Sequence, residues 1–200
     1  MAPMIPDTSA DPAPVTEANG DIWVFGYGSL MWRPGFPFET RGPAKLHGHH
    51  RALCVYSILH RGTSENPGLV LGLDHGGDCH GVAFRVPAGA ENDTIAYLRE
   101  REQVTDVYVE AYRSIELRGE PERTVTALTY LADPTHKQYA GTLDLDSQFR
   151  IVRTCCGQAG ANIEYVLNTV AHLEELGVYD PVLHVLAERL RREAGDASAD

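Results

Sequence analysis

Two short stretches carry residue types that can do chemistry. In "GYGSL" (Gly26–Leu30) two glycines flank a tyrosine and a serine follows. Small residues let successive backbone N–H groups converge on an anion such as a carboxylate, and Ser29 adds a hydroxyl. Glycine is also the ordinary residue of a plain turn, so the stretch is either a corner or an anion cradle. It is not a standard phosphate loop. A dinucleotide fingerprint needs a third glycine where Met31 stands, and the Gly-Lys-Ser/Thr of a P-loop is absent. A nucleophile elbow would also need its closing glycine at Met31. The second stretch is "YLREREQ" (Tyr97–Gln103). At about 100° per residue, Ile95, Leu98 and Glu102 share one helical face, and Glu100 points nearly opposite, toward solvent. A carboxylate on an inward stripe is either paired with a base such as Arg99 or Arg101, or held in a pocket with a raised pKa.

Other clusters are less specific. His47, His49 and His50 crowd "HGHH", and "DHGGDCH" (Asp74–His80) mixes Asp, His and Cys, but its spacing matches no zinc pattern and it reads as a hairpin tip. No metal site is assigned. "CCGQAGANIEY" (Cys155–Tyr165) is a second glycine-rich loop leading into a helix; its N–H groups can meet an anion, or it is a plain loop with Asn162 as cap. The four cysteines, Cys54, Cys79, Cys155 and Cys156, form no C-x-x-C pair and read as reduced, small core residues of a cytoplasmic protein.

These residues need elements to position them. Strands are expected over 21–28, 51–59, 68–74, 80–86, 107–117 and 123–132, with "HGGD" turning the 68–74/80–86 pair as a hairpin. A helix is expected over 90–103, capped by Asn92 or Asp93, and another after Asn162, ending near Gly177. Asp180-Pro181 supplies an N-cap with proline at the first helical position for the last helix. Strands early and helices late suggest α+β, with a mostly antiparallel or barrel-like sheet. The 200 residues suggest one domain over 21–194. Residues 1–20, with four prolines, and 195–200 read as disordered tails. A net charge of −11 opposes nucleic-acid binding, and no apolar run approaches a membrane span.

Four segments in order resemble the ChaC-like branch of the γ-glutamylcyclotransferase family: "VFGYGSLMW", "SILHRGTSENPGLVLGLD" (Ser57–Asp74), "YLREREQVTDVY" (Tyr97–Tyr108) and "GQAGANIEYV" (Gly157–Val166). Ser64 replaces the proline of the family's R-G-T-P-E, and Asp106 stands where bacterial members commonly have glycine. The resemblance implies a small mixed β-barrel with flanking helices. It implies a cofactor-free lyase that converts glutathione to 5-oxoproline and cysteinylglycine. It makes Glu102 the general base and acid, and Tyr27, Gly28, Ser29, Leu30, Ser57, Arg61 and Tyr108 the substrate-binding residues. Other γ-glutamyl amino acids or γ-glutamylamines as substrates, or a silent γ-glutamyl-binding module, are the alternatives. The sequence assigns no oligomeric state.

Overall fold

The computed structural model describes residues 20–119 and 123–196. Five strands close a barrel in the order β1-β3-β2-β4-β5: β1 (Ile22–Gly26), β2 (Thr40–Ser57), β3 (Gly68–Val86), β4 (Tyr108–Leu117) and β5 (Arg123–Ala132). Neighbours are antiparallel except at the closure, where β1 runs parallel to β5 and pairs Trp23 with Ala127 and Val24 with Leu128. The expected mixed barrel with helices is therefore the observed architecture. Phe25, Phe84, Ile115 and Leu128 are fully buried in its core. Helix α1 (Glu91–Glu102) links β3 to β4. Helices α2 (Leu145–Thr154), α3 (Asn162–Glu175) and α4 (Pro181–Asp196) pack on one another, and α2 and α3 also rest on β3. A two-residue pair, β6 (Cys156–Gly157) and β7 (Gly160–Ala161), precedes α3.

Several sequence readings need correction. "HGGD" is no hairpin tip: β3 runs unbroken past it and pairs with β2 on both sides, His75 opposite His49 and Asp78 opposite His47. The glycines absorb a bulge, with Gly48, Gly76 and Gly77 all at positive φ, where residues with a Cβ are disfavoured. The true hairpin connection is the loop 58–67. β2 starts eleven residues earlier than read, because Gly42, Pro43 and Gly48 disguise its first half as loop. α2 was not expected; its signal was Asp144, whose carboxylate caps the Ser147 N–H at 2.7 Å, followed by Phe149 and Val152 on the buried face. α1 begins at Glu91, before the expected caps, and the Glu91 carboxylate accepts the Gly89 N–H. Asp180 does cap α4, accepting the Leu183 N–H at 3.1 Å. Cys54, Cys79 and Cys155 are buried as read, but Cys156 is exposed. Burial pushes the Cys54 thiol up to about 12 and the Cys79 thiol up to about 11. α4 extends to Asp196; the expected tails at 1–19 and 197–200 lie outside the described residues. Among those residues, no helix is long and apolar enough to cross a membrane.

Candidate active site

The loop leaving β1 turns through a short 3-10 segment at Ser29–Met31, closed by the Met31 N–H on the Gly28 carbonyl at 2.9 Å and the Arg33 N–H on the Ser29 carbonyl at 2.9 Å. Its two glycines differ in purpose. A Cβ on Gly26 would lie 3.0 Å from the Leu30 Cβ, so this glycine allows the tight return of the chain. A Cβ on Gly28 would meet only the Leu71 Cδ1, at 3.8 Å. Gly28 therefore keeps space open. That space is an inner chamber of about 100 Å³, lined by Tyr27, Gly28, Ser29 and Leu30 from the loop and by Glu102 and Tyr108 from across the barrel mouth. An outer cleft of about 610 Å³ adjoins it and shares Ser29, Glu102, Tyr108 and Tyr165.

Glu102 is the only aspartate or glutamate lining either space among the described residues, and it lines both. As the last residue of α1, on the face of buried Leu98, it enters the site with a side chain 19% exposed, whereas Glu100 is exposed. Both sequence alternatives hold at once. Arg101 Nε sits 3.2 Å from Glu102 Oε1, yet burial outweighs that attraction and raises the carboxyl above its ordinary range. The other alternative partner, Arg99, is taken by Glu110 in a forked pair at 2.7 and 2.8 Å. Arg101 also reaches the loop, donating to Ser29 Oγ at 2.8 Å and to the Arg33 carbonyl at 2.6 Å.

The chamber floor is the backbone of Leu71 in β3. Tyr108 Oη donates to its carbonyl at 2.6 Å, and its N–H donates to Tyr165 Oη at 3.1 Å. Burial pushes the Tyr165 phenol up to about 12 and also raises those of Tyr27 and Tyr108 well above the ordinary phenol value. Asn162 was read as a cap, but Ala161 occupies that position. The fully buried Asn162 amide instead pairs with Leu69, accepting its N–H at 2.7 Å and donating to its carbonyl at 2.8 Å. Arg51, 6% exposed, supports the loop from beneath. It donates to the Tyr27 carbonyl at 2.6 Å, the His80 carbonyl at 2.6 Å and Asp180 Oδ2 at 3.3 Å.

The outer cleft is walled by the β2–β3 connection. Ser57 Oγ accepts the Arg61 N–H at 3.0 Å, and the Arg61 guanidinium lies 5.5 Å from the Tyr165 ring centre. Gly62, Gly68 and Gly157 let this connection press on the segment before α3; a Cβ on Gly62 would fall 2.1 Å from the Gly68 nitrogen. Trp32 stacks on His172 at 4.5 Å between the loop and α3, and both face the cleft. All eight site residues named from sequence line one space or both. Sequence reading gave no site role to Arg33, Tyr165 or the tethering Arg51; for Arg101 it saw only a pairing role. Among the described residues no three His, Cys, Asp or Glu side chains converge as a metal-ligand set.

The family model described as ChaC-like protein matches residues 22–193. This chain belongs to the ChaC-like family. It is 32% identical over 174 residues to the glutathione-specific gamma-glutamylcyclotransferase of Escherichia coli, covering 87% of this chain and 74% of that protein. It is 32% identical over 184 residues to the human glutathione-specific gamma-glutamylcyclotransferase 1, covering 88% and 83%. A crystal structure of a yeast gamma-glutamyl cyclotransferase specific to glutathione shares the fold, with a TM-score of 0.78 at 22% identity over 86% of this chain and 96% of that one. In this ChaC-like chain Asp106 adopts φ 56°, the left-handed conformation for which glycine is the usual choice, alone among the described non-glycine residues. Asp tolerates this conformation better than most residues with a Cβ.

Proposed function

We propose that the chain is a glutathione-specific γ-glutamylcyclotransferase that closes the γ-glutamyl group into 5-oxoproline and releases cysteinylglycine. The observation that carries this reading is Glu102, among the described residues the lone Asp or Glu at the junction of a small inner chamber and a wide outer cleft. The names of the Escherichia coli and human relatives support it.

The γ-glutamyl group occupies the inner chamber. Its α-carboxylate meets the backbone N–H groups and Ser29 hydroxyl of the loop from Tyr27 to Leu30, within reach of Arg101. Cysteinylglycine extends into the outer cleft, where Arg33 and Arg61 offer positive charge to its carboxylate. The substrate's α-ammonium gives a proton to ionised Glu102. The freed amine attacks the γ-carbonyl, a C–N bond forms and the five-membered ring closes. The old C–N bond then breaks as Glu102 returns the proton to the departing cysteine nitrogen, while the ring nitrogen, cationic after attack, loses its second proton to water and the released amine takes one up as an ammonium. The nucleophile belongs to the substrate, so the protein's work is orientation and proton transfer. A carboxyl held above its ordinary range by burial suits a group that must first accept and then donate. Incubation with glutathione and mass detection of 5-oxoproline tests the reading. Glutathione should turn over and γ-glutamylalanine much more slowly, because the outer cleft is sized for a dipeptide. Binding of glutathione without product would replace the enzyme reading with that of a binding module.

A further inference from the structure

On another part of the barrel lies a second cavity of about 250 Å³ that shares no lining residue with the two spaces of the site. Its walls are largely aliphatic, including Leu53, Leu143, Leu145 and Leu183. Two acceptors line it: one is buried without a partner, and the other is a carboxylate in no ion pair among the described residues. Gln148 is 8% exposed; its Nε2 donates to the Leu143 carbonyl at 2.9 Å, but its Oε1 has no hydrogen-bond partner. Asp74 is 8% exposed; one oxygen, Oδ1, takes both the Tyr139 hydroxyl at 2.8 Å and the His75 N–H at 2.9 Å. No lysine or arginine among the described residues pairs with it. A buried acceptor without a donor is costly, and a buried carboxylate without a counter-charge more so.

The cavity's own arginine does not supply that charge. Arg51 spends its nitrogens on the Tyr27 and His80 carbonyls and on Asp180. Its charge is already met by the Asp180 carboxylate. A second carboxylate, Asp180, lines the same space, and His50 commits its Nδ1 to the Gly76 carbonyl. The lining thus asks for a donor, favours a cation, disfavours an anion and wraps the remainder in hydrocarbon. We propose that this cavity is a second binding site, and that its ligand is a small primary ammonium with a short apolar body. Its volume lies below the roughly 300–1,000 Å³ of ordinary ligand pockets, which limits the ligand to the size of a short alkylamine.

The test uses n-butylamine, 1-butanol and butyrate as probes at neutral pH on the full chain, with saturation-transfer NMR and titration. The amine is expected to bind saturably, about tenfold more tightly than the alcohol, since charge-assisted hydrogen bonds are roughly twice as strong as neutral ones. Butyrate is expected not to bind. Asp74→Asn should erase the advantage of amine over alcohol, and Leu145→Trp, which fills the cavity, should erase binding of both. If Asp74→Asn fails to fold, Gln148→Met should weaken the amine and spare the alcohol. Equal binding of all three probes, or amine binding undiminished by Leu145→Trp, would overturn the proposal.

Discussion

At the scale of single residues, Glu102 and Gly28 separate chemistry from structure. Glu102→Gln keeps shape and hydrogen bonding but carries no transferable proton. Its kcat for glutathione is expected to fall by at least ~10²-fold with KM nearly unchanged, while Glu100→Gln, on the exposed face, should be silent. Wild-type kcat should rise with pH through an apparent value above the ordinary glutamate range, because only the ionised form accepts the proton. Stability has the opposite sign. A folded-state value raised by burial means that stability is full below the ordinary range and is lost as pH rises through the folded value. Glu102→Gln should therefore melt no lower than the parent at neutral pH, as a scan across pH would reveal. Gly28→Ala places a methyl group in the inner chamber without a clash in the protein itself, so its cost falls on a ligand that must share the space, on the order of the ~1–3 kcal/mol of an overpacked site. KM should rise about tenfold with the melting point kept; steady-state kinetics beside calorimetry decides. Unfolding of that variant would make the loop a mere corner. Glu102 was legible from helical spacing because it needs only its own helix. Arg51 was not, since nothing local distinguishes a strand-opening arginine from one whose partners lie at Tyr27, His80 and Asp180.

At the scale of elements, readable segments were those with one clear period: β4, β5, α3 and α4. β2 and β3 misled because their bulge concentrates glycines and histidines, which look like a turn when only one strand is in view. Pairing, not composition, decides such a case. Asn162 shows the same limit, for its residue type suits a cap and only the fold brings Leu69 against it. Its amide docks the first turn of α3 on the strand that floors the chamber. Asn162→Ala should leave both Leu69 backbone groups buried and unpaired, at about 1–3 kcal/mol each. Denaturant unfolding should show a loss of about 3 kcal/mol, and Tyr165, one turn further, should lose its seat on Leu71. An unchanged midpoint would mean that water replaces the amide.

At the scale of the whole molecule, composition separates the barrel from what precedes it. Residues 1–20 lack the apolar content to bury a core. A chain shortened to begin at Asp21 is expected to keep its melting temperature and its glutathione turnover; a large fall in either would mean that the segment docks. The barrel itself is dominated by distant partners. Its closure joins Trp23 to Ala127, and Arg51, which holds the Tyr27 carbonyl, is anchored to Asp180, 129 positions later. During synthesis the loop at Tyr27 leaves the ribosome well before Asp180 is translated. At about 5–20 residues per second, the interval between Tyr27 and Asp180 lasts roughly eight to thirty seconds. Through that interval the loop lacks the anchor of the arginine that holds its Tyr27 carbonyl, so the site reaches the geometry described above only once α4 has docked.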